Sequence, residues 1–277
     1  MPRPSEPAWV MPAKGAIIKP DHATVSVSVA SRARPPALVL AVIGVVWELG
    51  VRATDAAPSV LPRPSQVARA MWQERRPLLF DAWITGKEAL LGLALATVFA
   101  VAIAIVLDRS VPLRRSVEPL LIGSQVLPIV AIAPLFIIWF DFGLLGKVLT
   151  VALFTFFPVV VGLGRGLRAT DSGAEALVRT MGGTRRDVLW RVRIPTALPS
   201  TFTGLRLAAT YAVVAAVISE FLGAFDGLGI TMQEARGSYQ TDLLFASVAA
   251  TFLLTMGLIA TVAAAERFVV PWARQPR

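Results

Sequence analysis

Few side chains in this sequence suit covalent or metal chemistry. There is no Cys, and the single histidine, His22, lies in a polar N-terminal stretch. This removes a disulfide framework, a thiol nucleophile, a Cys-based zinc or iron–sulfur site and a His-based triad. Phosphate binding fares no better. A P-loop needs Gly, four residues, Gly-Lys and then Ser or Thr, so that backbone amides cradle the phosphates. The two Gly-Lys pairs are Gly86-Lys87, followed by Glu88, and Gly146-Lys147, followed by Val148. Neither fits. The expectation is a non-enzyme with no catalytic set, no metal and no cofactor.

Spacing is most informative in the polar segment 165–201. Ala174, Leu177, Val178 and Met181 fall at i, i+3, i+4 and i+7, one apolar stripe on a short helix. Asp171 or Ser172 can cap its start, and Gly182-Gly183 can end it in the left-handed conformation. Thr184 with Asp187 resembles a capping box, with Asp in place of Glu or Gln. A second short helix follows, carrying Val188, Leu189 and Val192 on one face, and Pro195 and Pro199 are expected to close it. Two short amphipathic helices joined by a Gly-Gly elbow suit docking in a groove of a soluble partner. The same pattern also fits a loop packed on its own domain. Arg185, Arg186 and Asp187 are candidate polar contacts to such a partner, or a solvated charged face.

The elements holding this loop are read from composition. Of 277 residues, 55% are apolar and 16% charged, against about 25% charged in a soluble domain. Runs 89–107, 119–140, 148–164 and 243–265 contain no Asp, Glu, Lys or Arg, and each is long enough to cross a bilayer. With two weaker stretches they give about six helices: 37–52, 86–107, 117–140, 146–164, 202–223 and 243–265. The first is read as a retained membrane helix, since its 34-residue polar lead is long for a signal peptide. Segment 53–85 carries Val67, Ala70 and Met71 at helical spacing and reads as a short amphipathic helix lying along the membrane outside.

With the N-terminus inside, and Lys87 and Arg206 at helix ends left out, 18 basic residues fall on the inner side and 7 on the outer, so both termini are expected in the cytoplasm. The net charge of +9 is then topology, with no nucleic-acid partner. Pro128 and Pro134 interrupt the third span and Pro158 the fourth, favouring kinks that face other helices or a water-filled cavity. Gln125, Pro128, Trp139 and Glu220 are candidates for a solute path. Packing is the competing role for Gln125 and Trp139, and for Glu220 it is reaching water near an interface.

Gly182, then Val192-Arg193-Ile194-Pro195 and Thr196-Ala197-Leu198-Pro199-Ser200, resemble the "EAA" loop of bacterial ABC-importer permeases. Gly182 to Pro195 has the family spacing. The E-A-A slots fall on Ala176, Leu177 and Val178, so Glu175 sits one place early. Trp47-Glu48-Leu49, residues 61–67 (LPRPSQV), 130–140 (VAIAPLFIIWF), Phe157-Pro158, Gly227-Leu228-Gly229 and Gln240-Thr241-Asp242 are similar to the nitrate/sulfonate/taurine-type branch. The run 130–140 is similar to permeases for pyrimidine thiamin precursors and riboflavin.

The resemblance covers about residues 37–270. It implies an all-α polytopic membrane helix bundle with the type I ABC-importer transmembrane fold, in the bacterial inner membrane. The expected layout is a polar tail over 1–34 and a first membrane helix with an amphipathic segment over 35–84. The permease domain covers 85–267, with its cytoplasmic coupling loop at 165–200, and a tail follows over 268–277. The implied partners are a separate ATPase dimer, an extracytoplasmic solute-binding protein, a second permease copy and the bilayer. The implied coupling residues are Glu175, Ala176, Gly182, Gly183, Arg185, Arg186, Asp187, Ile194 and Pro195. The implied solute is a small organic molecule: a pyrimidine thiamin precursor, a riboflavin-like compound, or sulfonate, taurine or nitrate. The alternative is a secondary transporter driven by an ion gradient, although no inverted repeat is evident and Glu48 and Glu220 are the only carboxylates read inside spans.

Overall fold

The structure, a computed structural model, describes residues 29–54, 57, 59–124, 126, 128–141 and 143–274. Every regular element among them is helical. Helix α1 runs Val29–Thr54. Over 38–46 its apolar side chains stand mostly exposed, as suits a helix bathed in lipid. Helix α2, Pro64–Gln73, starts with Pro at a position that needs no N–H. Gln66 Oε1 accepts the Arg63 N–H at 2.8 Å, and Glu48 accepts from the Ser65 N–H at 3.1 Å and from its hydroxyl at 3.0 Å. The two similarity motifs at 47–49 and 61–67 therefore meet in space. Val67 and Ala70 pack with Leu78, Leu228 and Ala246. The apolar face expected to lie on a membrane surface is instead covered by the protein's own helices.

Helix α3, Arg75–Arg109, is 35 residues long, roughly 50 Å at about 1.5 Å per residue. It starts well before the expected residue 86, because Pro77 falls in its first turn and no further proline occurs before Pro112. The expected third span is two helices, α4 (Val111–Ser124) and α5 (Ile129–Phe140). Pro128 sits between them in an extended conformation, φ −68 and ψ 127. Helix α6, Leu144–Arg168, continues through Pro158.

Helices α7 (Ser172–Thr180) and α8 (Arg185–Val188) form the patterned loop. A π-helical turn, Leu189–Arg193, leads into α9, Ile194–Phe221. Pro195 and Pro199 do not close the second short helix as expected. The helical path runs unbroken over Arg185–Phe221, because Pro195 falls in the first turn of α9 after the wide turn. The fifth span accordingly starts before residue 202. Helices α10 (Leu228–Gly237) and α11 (Thr241–Val269) follow, then a 3₁₀ turn, Pro271–Arg274.

Among the described residues, α3, α6, the 185–221 stretch and α11 are each long and apolar enough to cross a membrane. The core is the α6–α9 pair with α3 against it. Ala208, Ala209, Ala212, Ala215 and Ala216 on α9 are all fully buried. Small side chains let the backbones approach closely where lipid supplies no hydrophobic drive.

Candidate functional site

The α7–α8 elbow is built by local capping. Asp171 accepts the Gly173 N–H at 2.9 Å and starts α7. Gly182 turns the chain at φ +83, a conformation costly for other residues. Thr184 and Asp187 then cap α8 reciprocally. The Thr184 hydroxyl and N–H donate to Asp187 Oδ2 at 2.6 and 3.0 Å, and the Asp187 N–H donates back to Thr184 Oγ1 at 3.2 Å. The Thr184 hydroxyl, then its N–H, holds the Asp187 carboxyl below its ordinary range. Asp187 therefore serves the cap and pairs with Arg191 at 3.5 Å.

Part of the elbow's apolar surface is left uncovered, while Val188 is buried and Ala174 and Val178 are half-buried. Helix α7 has no fully buried side chain; Leu177 is 61% exposed and Met181 79%. Ala176, Arg185 and Arg186 are also exposed, while Ile194 and Pro195 lie half-buried at the start of α9. A cleft of about 850 Å³ opens beside the elbow, lined by Asp108, Glu175, Arg179, Arg185, Arg186, Trp190 and Arg193 among others.

Sequence reasoning missed the residue that organises this cleft. Arg193 grips Asp108 with both terminal nitrogens, at 2.6 and 2.8 Å, and donates to the Leu167 carbonyl at 3.1 Å. Its Nε lies 3.2 Å from Glu175 Oε1, an ion pair without the alignment of a hydrogen bond. A fork-to-carboxylate contact of this kind is both strong and directional. The sequence signal was an isolated Asp at the end of an apolar run, which reads as a span boundary.

At the opposite ends of α3 and α9 lies a second polar assembly. Asp81, Thr85 and Glu88 recur at i, i+4 and i+7 on one face of α3. The Thr85 hydroxyl donates to Glu220 Oε1 at 2.6 Å and accepts the Leu228 N–H at 3.0 Å. Glu220 Oε2 accepts the Gly229 N–H at 2.7 Å, and Asp81 accepts the Gly227 N–H at 3.2 Å and the Thr231 hydroxyl at 2.5 Å. The first N–H groups of α10, orphaned in any helix, are thus satisfied by α3 and α9. Gly227, at φ +123, is required there, since a Cβ would collide with the Glu220 carboxylate.

Lys147 on α6 completes the assembly, donating to Glu88 Oε1 at 2.7 Å with both side chains buried. Glu88 and Lys147, which border the uncharged runs 89–107 and 148–164, are buried where α6 packs on α3. The candidates Gln125, Pro128, Trp139 and Glu220 are not brought together. Glu220 is fully buried in this network, Trp139 is 65% exposed, Pro128 is exposed, and Gln125 lies outside the described residues.

Comparison with known proteins joins these features. Residues 92–275 match the family model described as "Binding-protein-dependent transport system inner membrane component". The formylaminopyrimidine transport permease protein ThiX of Halalkalibacterium halodurans is 32% identical over 245 residues, 88% of this chain and 98% of ThiX. The riboflavin transport system permease protein RibX of Chloroflexus aurantiacus is 34% identical over 237 residues, 85% of this chain and 88% of RibX. Among solved structures, an amino acid ABC transporter chain superposes with a TM-score of 0.58 at 17% identity, covering 71% of this chain and 96% of that one. That likeness speaks to the fold, the type I ABC-importer transmembrane bundle. The ion-gradient transporter reading has no support. The chain belongs to the binding-protein-dependent transport system inner membrane component family and is a permease subunit of an ABC importer, a transport component and not an enzyme.

Proposed function

We propose that this permease forms the solute path of its importer and receives the ATPase stroke at the α7–α8 elbow. The observation that carries the reading is the uncovered apolar stripe of α7, with Leu177 and Met181 exposed beside the Gly182 turn. A short amphipathic helix with no fully buried side chain and two large apolar residues exposed is suited to a partner's groove. The elbow end then faces the cytoplasm, and loop 222–227 with α10 faces the extracytoplasmic binding protein. The ATPase works as a dimer beneath two permease copies. Glu175, Ala176, Gly182, Gly183, Arg185, Arg186, Asp187, Ile194 and Pro195 belong to the coupling region. Pro128 and Trp139 are assigned to the path with Gln125, while Glu220 acts from within the buried network. The solute is a small organic molecule of the kind named for the relatives, a formylaminopyrimidine or riboflavin, or a sulfonate.

Replacing Gly182 by Arg tests the docking. No atom lies within 4 Å of the position of a Cβ there, so the bundle itself has room. The positive φ costs an L-residue about 1–2 kcal/mol, and the new charge faces the partner. Co-purification of the ATPase is expected to fall by about tenfold or more, an effect of about 1.4 kcal/mol, with membrane insertion unchanged. Undiminished co-purification would exclude the elbow as the docking site.

A further inference from the structure

We propose that Arg193 is a positioning residue that ties the docking elbow to the transmembrane bundle, so that displacement of α7 reaches α3 and α6 as one movement. This rests on the reading of the elbow as the ATPase site. Helix α7 has no fully buried side chain, and Ala174, Glu175 and Val178 are half-buried, so packing alone holds it weakly. It joins the bundle through Ala169–Asp171 on one side and the Gly182–Gly183 turn on the other. A push on such an element dissipates in its loops unless a tertiary contact carries it.

Arg193 supplies that contact. One guanidinium reaches Glu175 on α7 (3.2 Å), Asp108 in the last turn of α3 (2.6 and 2.8 Å) and the Leu167 carbonyl near the end of α6 (3.1 Å). Its own backbone leads directly into α9. Four helices therefore converge on a single planar group. The Asp108 side chain is 9% exposed and that of Arg193 24%, so solvent screens this pair less than a surface pair. Lysine cannot replace it, because an ammonium lacks the rigid fork that engages a carboxylate with two bonds while a third nitrogen faces elsewhere. The π-helical turn Leu189–Arg193 ends on this residue; such turns rotate the facing of the downstream helix and recur at functional positions. Glu175, one place out of the family's motif register, thereby acquires an intramolecular partner.

The absence of cysteine makes the test direct. Spin labels on Thr180→Cys in α7 and Val106→Cys in α3 report the distance between the two helices in the permease–ATPase complex, nucleotide-free and trapped with ATP and vanadate. With Arg193 present, one narrow distance is expected in both states. Arg193→Gln or Arg193→Lys is expected to broaden it by about twofold or more as the fork is lost, with the ATPase still co-purifying. Glu175→Gln releases only the α7 arm and should broaden it too, which keeps the test open if Arg193 variants fold poorly. A narrow, unshifted distance in Arg193→Gln and Glu175→Gln would overturn the proposal. Failure of the ATPase to co-purify with the unsubstituted chain would instead overturn the docking reading.

Discussion

Replacing Lys147 by Met is expected to destabilise the permease by about 3–5 kcal/mol, the usual consequence of stranding a buried charge by removing its partner. The Lys147 ammonium donates to Glu88 Oε1 at 2.7 Å, with the two side chains 10% and 3% exposed. Glu88 Oε2 has no hydrogen-bond donor among the described residues, so the Lys147 contact carries most of what compensates this carboxylate. Without Lys147, Glu88 loses its hydrogen-bonded cation and stays buried. The double variant Glu88→Gln/Lys147→Met removes both charges of the pair and should recover more than half of the loss, since a neutral amide is far cheaper to bury than a carboxylate. Thermal unfolding of the detergent-solubilised protein, followed by loss of the monodisperse peak, measures both. A single variant as stable as the parent would show that the pair is not what balances the buried Glu88 carboxylate.

The contrast between the two polar assemblies explains what the sequence could and could not disclose. The elbow was legible because its signals are local. Asp171, Gly182 and the Thr184–Asp187 cap each act within a few residues, so their spacing alone reports the geometry. The buried network is tertiary. Lys147 and Glu88 are 59 residues apart, and each stands beside an apolar run, where a charge ordinarily marks the membrane boundary. Only packing of α6 on α3 turns two apparent boundary markers into an interior pair. The same holds for Arg193 and Asp108, 85 residues apart. Pro195 and Pro199 misled for a different reason: a helix stops at proline only if the lost N–H and the ring cannot be accommodated, and the preceding π turn and first-turn position accommodate Pro195. Gly227-Leu228-Gly229 stood out as a motif, yet its reason, an acidic side chain pressed against the backbone of a helix start, needed Glu220 in place.

Gly204→Leu is expected to be the most disruptive single change in the helix pairing that links these two assemblies. Helix α6 carries Lys147 near its start and the Leu167 carbonyl near its end, and α9 runs from the Arg193 junction to Glu220. Their contact is backbone against backbone. A Cβ at Gly204 would collide with the Pro158 carbonyl oxygen. One at Gly162 would lie 2.8 Å from the Ser200 carbonyl oxygen, and one at Gly166 2.6 Å from Ala197 Cα. Backbone cannot rotate away as a side chain can, so even Gly204→Ala should cost about 1–3 kcal/mol, the usual range for overpacking, and Leu more. The same change at Gly257 on α11, where no atom lies within 4 Å, tests the alternative that any helical glycine is sensitive. There, Ala removes backbone freedom without a clash, and a gain of about 0.5–1 kcal/mol is expected. Opposite signs at the two positions, read from unfolding midpoints in one detergent, would show that α6 and α9 are held backbone against backbone at Gly204. Equal responses at Gly204 and Gly257 would mean that the close approach at Gly204 does not limit the packing of α6 on α9.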